Sequence, residues 1–159
     1  MGIVLDSSVL IAGERREDSV SEILERVEAK CGKTTAALSA VTAVELTHGV
    51  YRAKTDSDRK RREGFVEELF QSVPVHPLTL ELARLAGRIH GEQAGQGVSI
   101  DFPDLIIGAT ALHLGFDVVT LNVRHFQAIP GLKIVSLQAL PRPFLWLPLT
   151  FTTPNPRYN

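Results

Sequence analysis

The sequence predicts an α/β protein built around a mainly parallel sheet. Short apolar runs, each bounded by polar or turn residues, alternate along the chain with longer segments of helical periodicity. Such alternation is typical of strand–helix–strand units, because neighbouring parallel strands need a crossover connection. The 159 residues are enough for one domain with a substantial core, and the sequence contains no internal repeat.

The first half of the chain supplies two strand candidates and four helix candidates. The opening run GIVLD is a buried-strand candidate, and SSVLIAGER predicts one or two helical turns with Ser7 or Ser8 near the cap. Residues 18–30 begin with an acid and end with a lysine, as the helix dipole favours. The remaining elements are a strand in TAALSA and helices over 41–54 and 56–71.

The second half continues the alternation and then changes character. A short strand is expected in VPVHP, an amphipathic helix over 78–95, a loop in GQGVS, a helix over 103–115, and strands in DVVTL and LKIVSL. From about residue 139 the chain holds five of the nine prolines and the only tryptophan, so it cannot form a regular helix. We therefore divide the chain into a domain over 1–138 and a proline-rich tail over 139–159, either free or packed as an arm on a partner.

Composition narrows the classes of protein. The net charge of −1 means that any contact with nucleic acid must come from a local patch of positive charge. The single cysteine, Cys31, excludes an internal disulfide and fits a reducing compartment. The N-terminus lacks a basic region before its apolar run, which excludes a signal peptide, and no apolar run approaches the roughly 18–20 residues that span a bilayer. We expect a soluble cytoplasmic protein without a membrane partner.

Acidic and amide side chains cluster at one predicted edge of the sheet. Asp6 ends the first strand, and Asn122 lies just past DVVTL. Asp101 and Asp104 begin the helix that leads into that strand, and Glu45 lies in the helix after the second strand. Because functional groups in open parallel sheets gather beyond the carboxyl ends of the strands, these side chains are candidates for one site.

Each acid also has a structural interpretation. Asp6 can cap the helix that follows it, and Asp101 with Asp104 matches an N-cap followed by an acid at the third helical position. Glu45 shares a polar strip with His48, and such a strip faces a cleft or, more commonly, bulk water. Periodicity does not decide between these alternatives.

The helix after Asp104 favours a functional site. Apolar residues cover nearly its whole circumference, which predicts burial on all sides. Asp104 shares a narrow strip with Gly108, Ala111 and Gly115, where small residues let another element approach closely. An ionised carboxylate in such a place needs a partner, and few cationic side chains are positioned by sequence to neutralise several acids. A bound divalent cation would neutralise these acids.

Three stretches resemble a known family. IVLDSSVLIA, AVTAVELTHGV and DLIIGATALHLGFDVVTLNVRHFQAIPGLKIV, in this order, are similar to the PIN-domain ribonucleases, and in particular to VapC-type toxins of toxin–antitoxin pairs. The resemblance covers roughly residues 2–137. It implies a PIN-like α/β/α sandwich with a central, mainly parallel sheet of about five strands. It also implies acids at the carboxyl edge that bind Mg²⁺ or Mn²⁺ and cleave single-stranded or loop RNA.

The resemblance assigns catalytic positions residue by residue. The first three acids of the family match Asp6, Glu45 and Asp104, which are the expected metal ligands and catalytic residues. The fourth position often holds an acid, but here it is Asn122. An amide oxygen can bind a hard cation but brings no charge, so a second tightly held metal is in doubt.

Supporting roles fall to three further residues. Thr120 matches a hydroxyl that typically orients the family's site, and Ser7 follows the first acid. Asp101 stands where the family more often has small or polar residues, and it restores some of the charge that Asn122 lacks. The chain has no Cys/His set with zinc spacing, and His48, His76, His90 and His113 are interpreted as structural or exposed.

Basic residues provide candidate RNA contacts: Arg52, Arg59, Arg62, Arg124 and His125. Three of these lie in the stretch RAKTDSDRKRREGF, for which a solvated helix face is the default interpretation. A phosphate-binding patch is the alternative, with an affinity that falls steeply with salt. The helical pair there also resembles the family's clip that grips an antitoxin peptide, so these residues can instead face an acidic partner.

Together these observations predict a Mg²⁺- or Mn²⁺-dependent endoribonuclease, the homodimeric toxin of a type II toxin–antitoxin pair, with RNA and a cognate antitoxin as partners. The first alternative, motivated by Asn122, is a PIN-like RNA- or protein-binding module with weakened catalysis. The second is a nucleotide-binding domain, which the absence of a G-x-G-x-x-G or G-x-x-x-x-G-K-[ST] motif disfavours.

Overall fold

The computed structural model describes residues 1–137, which form five strands and seven helices. The strands are β1 (Gly2–Leu5), β2 (Thr35–Ser39), β3 (Val75–His76), β4 (Asp117–Thr120) and β5 (Ile134–Ser136). The helices are α1 (Ser7–Arg15), α2 (Val20–Cys31), α3 (Ala40–Tyr51), α4 (Asp56–Ser72), α5 (Leu80–Gly95), α6 (Phe102–Leu114) and α7 (Val123–Phe126). The predicted domain boundary at 138 and the tail over 139–159 lie outside the described residues.

The five strands form one sheet in the order β3-β2-β1-β4-β5, with every neighbouring pair parallel. Ile3 in the central strand is level with Ala36 of β2 and Asp117 of β4. The chain runs from β1 towards β3 on one side and from β4 to β5 on the other. The order therefore reverses between β1 and β4, and in such sheets the crevice at the carboxyl ends of those strands is the usual ligand site.

Two apolar layers cover the two faces of the sheet, as expected for an α/β/α sandwich. Leu5 and Leu38 pack with residues of α1, α2 and α4 in the first layer, where Leu69 is fully buried. Val4 packs with residues of α5 and α6 in the second layer, which includes Ile107. Adjacent strand residues point to opposite faces, so the apolar run of β1 is buried on both sides. The predicted fold class is confirmed.

Several element boundaries differ from the prediction. α1 covers the whole predicted segment, Ser7–Arg15, and its nine residues extend slightly beyond the one or two turns expected. The four-residue helix α7 was not predicted, because one helical turn is too short to show periodicity. β3 has only two residues and lies at the edge of the sheet, between Pro74 and Pro77. Proline cannot donate a ladder hydrogen bond, which keeps this strand short.

The close approach expected along α6 occurs at Gly108. A Cβ atom at this position would collide with the Ile129 side chain and crowd Leu132, both in the segment after α7. The absence of a side chain thus lets the segment that follows β4 and α7 pack directly against α6. No helix within residues 1–137 is long and apolar enough to cross a membrane.

Candidate active site

A cavity of about 370 Å³ opens at the carboxyl ends of β1 and β4. Its walls come from the start of α1, the middle of α3, the start of α6 and the region of α7. The lining residues are Asp6, Ser7, Ser8, Glu45, Asp101, Phe102, Pro103, Asp104, Asn122 and His125. The fold therefore brings the four positions assigned as catalytic to one cavity, although they are distant in sequence.

Asp6 lies at the bottom of this cavity and is 3% exposed. Its Oδ2 accepts hydrogen bonds from Ser8 Oγ at 2.5 Å and from Thr120 Oγ1 at 2.7 Å. It occupies the N-cap position of α1 but makes no side-chain capping bond there, so the capping interpretation of Asp6 is wrong. The two hydroxyl groups fix the orientation of a buried carboxylate and compensate part of its desolvation.

The hydroxyl of Thr120 also joins the end of β4 to the end of β1. Thr120 is fully buried, and its Oγ1 accepts the backbone N–H of Asn122 at 2.8 Å. The backbone N–H of Leu121 donates to Ser8 Oγ at 3.1 Å. These bonds hold the turn after β4 against α1, and the Asn122 side chain is left exposed at the cavity.

Glu45 reaches the cavity from α3. Its polar strip therefore faces a cleft at this position, which helical periodicity alone did not decide. Glu45 is half-buried, whereas His48, one turn further along the polar strip, is exposed. Burial raises the pKa of Glu45, and the charges of Asp6 and Asp104 raise it further, against the opposing effect of the Ser7 hydroxyl. Among residues 1–137 the buried Oε2 atom of Glu45 finds no hydrogen-bond partner. Such an atom costs free energy unless something else compensates it.

Asp104 enters the same cavity from the first turn of α6. Its Oδ2 lies 3.1 Å from Nδ1 of His125, a residue of α7. Burial raises the pKa of Asp104, and the charges of Asp6 and Asp101 also raise it, while the neighbouring imidazole lowers it. His125 thus gives a close polar partner to a carboxylate that is held among other acids.

Asp101 occupies the N-cap position of α6, but its side chain forms no capping hydrogen bond. The predicted capping role is therefore wrong. An N-cap side chain normally accepts the N–H of the second or third helical residue, and here the second is Pro103, which has none. Asp101 instead stands exposed at the cavity wall, where its charge raises the pKa of Asp104.

Comparison with known proteins identifies the family. The family model described as "PIN domain" matches residues 3–132. The chain belongs to the PIN domain family. The resemblance stated from the motifs is confirmed.

The relatives of this PIN domain include several VapC proteins. It is 28% identical to Ribonuclease VapC1 from Rickettsia felis over 139 residues, covering 87% of this chain and 98% of the relative. It is 31% identical over 97 residues to the tRNA(fMet)-specific endonuclease VapC from Salmonella typhimurium, covering 61% of this chain and 71% of the relative. The crystal structure of DNA-bound VapBC from Salmonella typhimurium superposes with a TM-score of 0.73 at 26% identity, covering 86% and 98% of the two chains.

The side chains of this PIN domain fit a divalent cation by their chemistry. They offer carboxylate and amide oxygens, which Mg²⁺ prefers. The Oε2 atom of Glu45 has no hydrogen-bond partner among the described residues, and burial together with neighbouring acids raises the pKa values of Glu45 and Asp104, as expected for carboxylates that lack a cation. As they stand, however, no three His, Cys, Asp or Glu side chains within residues 1–137 are grouped so that they could hold an ion.

The predicted RNA contacts of the PIN domain separate into two groups. His125 lines the cavity, and the exposed Arg124 precedes it on α7. The structure does not bring Arg52, Arg59 or Arg62 into the cavity lining. Arg52 follows α3, and Arg59 and Arg62 lie on α4.

Two of these arginines already have partners in the protein. Arg62 Nη1 donates to the backbone oxygen of Gly49 at 2.8 Å, and its Nε lies 3.6 Å from Glu14 Oε1. The guanidinium of Arg59 stands 5.8 Å from the centre of the Tyr51 ring. The contacts of Arg62 hold α4 against α3 and α1, which is a structural role, whereas Arg59 contacts an exposed ring at the surface of α3.

Sequence reasoning missed three residues of the cavity. Ser8 was considered only as a helix-start residue, although its position two residues after Asp6 is suited to a hydrogen bond with that carboxylate. Phe102 and Pro103 were treated as part of the helix start, and they form one wall of the cavity. An available signal was the aromatic residue directly beside the two acids.

Proposed function

We propose that this protein is a Mg²⁺-dependent endoribonuclease that hydrolyses phosphodiester bonds in RNA, with Mn²⁺ as a substitute ion. The observation that carries the proposal is the convergence of Asp6, Glu45 and Asp104 in one cavity at the switch point of the sheet. The buried Oε2 of Glu45, which has no hydrogen-bond partner within residues 1–137, supports it, because a cation would supply that partner. RNA as substrate and the VapC-type relatives favour action in the cytoplasm.

Asp6, Glu45 and Asp104 are the side chains that would hold the cation. When bound, it would lower the pKa of a water molecule and neutralise charge on the phosphate. Asp6 is pre-oriented by Ser8 and Thr120, so little reorganisation is required of it. Asn122 offers a neutral oxygen beside the acids. Asp101 adds negative charge at the cavity wall, and its carboxylate is not engaged in capping α6.

The RNA backbone would approach from the side of α7. The imidazole of His125 keeps Nδ1 on Asp104 and is half exposed, so its other nitrogen is available to a phosphate oxygen. Arg124 is exposed on the same helical turn. We retain Arg124 and His125 as proposed RNA contacts, and Arg52 and Arg59 as a more distant patch. The partners of Arg62 favour a structural role for that residue.

A second cleft suggests how an antitoxin would control the site. It has a volume of about 410 Å³ and lies between α1, α3 and α4. Apolar side chains including Ile11, Val44 and Phe65 line it, and Val44 is 66% exposed. Glu45 lines both this cleft and the acid cavity. We propose that a segment of a cognate antitoxin occupies the cleft and reaches the acids, as the complexes named VapBC suggest for relatives.

The remaining assignments are proposals about the whole chain. We propose that the toxin belongs to a type II toxin–antitoxin pair and works as a homodimer. We further propose that residues 1–138 carry the nuclease activity and that the proline-rich tail over 139–159 is not needed for it. A chain truncated after residue 138 should then cleave RNA at the rate of the full chain.

The experiment for the proposed function is RNA cleavage by purified protein. A short single-stranded RNA with a fluorophore and a quencher should be cut with Mg²⁺ or Mn²⁺, and EDTA should stop the reaction. The Asp6→Asn variant should be inactive, because it removes the charge that Ser8 and Thr120 orient. RNA binding without metal-dependent cleavage would favour the alternative suggested by Asn122, a PIN-like binding module.

A further inference from the structure

Phe102 is an unusual residue at the rim of the acid cavity. It is the first residue of α6, lines the cavity, and is 64% exposed. The other large apolar residues in the first two turns of this helix, Leu105, Ile106 and Ile107, are at most 3% exposed. The sequence thus places an aromatic ring in solvent at the one end of the helix where the acids meet.

The surroundings of the ring restrict what it can contact. Pro103 is beside it in the same wall, and Asp101, exposed, precedes it. Asp101 would repel a phosphate group near the ring, whereas His125 and Arg124 offer positive or hydrogen-bonding groups at α7. A nucleotide in this cavity therefore has its phosphate favoured on the α7 side and its uncharged base on the Phe102 side.

The chemistry of an exposed phenylalanine suits a base. The ring has no hydrogen-bonding group, so it cannot read the edge of a base, but it can stack on the flat face of any base. Stacking on aromatic side chains is a common way in which proteins hold single-stranded nucleic acid without strong sequence preference. A base within a duplex has both faces covered by its neighbours and cannot stack on a protein ring in this way.

We propose that Phe102 is the stacking platform for a base adjacent to the scissile phosphate, and that it selects an unstacked, single-stranded nucleotide there. The inference rests on the proposed function, since it takes RNA as the ligand of the cavity. Phe102 is then a specificity-determining residue, distinct from the acids that would hold the cation.

Fluorescence of 2-aminopurine tests the platform directly. This base analogue loses fluorescence when it stacks, and it can be placed in turn at each position of a short single-stranded RNA. The full chain is used with Ca²⁺ in place of Mg²⁺, so that RNA binds without being consumed. Wild-type protein should quench the analogue at one or two adjacent positions.

Three variants give the comparison. Phe102→Leu keeps an apolar side chain but removes the ring, so it should abolish the quenching and weaken RNA binding about tenfold, within the range for loss of one stacked base. Phe102→Tyr should retain both. Leu80→Ala removes an apolar side chain that is 68% exposed at the first residue of α5, outside the cavity lining, and should leave both unchanged.

The outcomes are distinct. Quenching that persists in Phe102→Leu, or a wild-type protein that binds no RNA or quenches at no position, would overturn the platform. So would a change in particle mass of Phe102→Leu by light scattering, because it would assign the ring to an interface between two copies of the chain. Phe102-dependent quenching without Mg²⁺-dependent cleavage would instead refute the nuclease and leave the platform. Mg²⁺-dependent cleavage together with quenching that Phe102→Leu does not change would support the nuclease and refute the platform.

Discussion

Replacement of Glu45 by glutamine separates the role of its charge from that of its shape. Glu45→Gln keeps the length of the side chain and one carbonyl oxygen, but it removes one of the three negative charges proposed to hold the cation. Among the described residues no group donates a hydrogen bond to Oε2, so this oxygen would be available to the ion. We expect RNA cleavage with Mn²⁺ to fall at least about 100-fold, equivalent to roughly 2.7 kcal/mol of transition-state stabilisation.

The same substitution has an opposite effect on the metal-free fold. Burial, followed by the charges of Asp6 and Asp104, raises the pKa of Glu45 above its ordinary value of 4.5. A carboxyl group with a raised pKa in the folded state favours folding while it is protonated, and this contribution is lost as pH rises from the ordinary pKa through the folded one. Without metal, the wild type should therefore lose stability over that interval, and Glu45→Gln should lose less.

The assay combines single-turnover cleavage of a fluorescent single-stranded RNA with urea unfolding in EDTA between pH 4 and pH 8. Glu67→Gln provides the matched control, since it makes the same chemical change at an exposed position on α4. The control should leave both measurements unchanged. Cleavage by Glu45→Gln within twofold of wild type would refute the reasoning and return this carboxylate to a structural role.

Three further substitutions test other parts of the site. Asn122→Asp should tighten Mn²⁺ binding in calorimetry and lower the melting temperature in EDTA, since it adds a charge to a cavity lined by four acids; unchanged affinity would exclude contact with the ion. Asp101→Ala should change the free energy of unfolding by less than about 0.5 kcal/mol, because no capping bond is lost, whereas a loss of about 1 kcal/mol would restore the capping role. Gly108→Ala should cost about 1–3 kcal/mol in urea unfolding through its collision with Ile129, and wild-type stability would show that this contact yields easily.

Much of the fold follows from the sequence because the identity and order of strands and helices are encoded in local residue patterns. The apolar run of β1, with no alternation, indicated a strand buried on both faces, and that is its place at the centre of the sheet. Parallel strands then bring their carboxyl ends to one edge, which is why Asp6 and Asn122 were expected together and now line one cavity. These inferences need only the order of elements and the position of each residue within them.

Side-chain partners could not be obtained in this way. Asp6 and Asp101 both occupy N-cap positions, yet neither caps its helix. The competing partners of Asp6 are Ser8 and Thr120, and Thr120 is 114 residues away in sequence. The direction of Glu45 likewise depended on how α3 packs against the sheet, which the periodicity of a single helix does not contain.

Melting of the protein with and without Mn²⁺ tests the central claim most directly, namely that the acids of this cavity hold a divalent cation. At about 100 times the dissociation constant, a bound ion adds roughly 2.7 kcal/mol of stability, which raises Tm by several degrees. We predict this shift for the wild type and for Asp101→Asn, and its loss in Asp104→Asn, with every variant folded in EDTA. An equal Mn²⁺-induced shift in Asp104→Asn, or no shift in the wild type, would contradict the account.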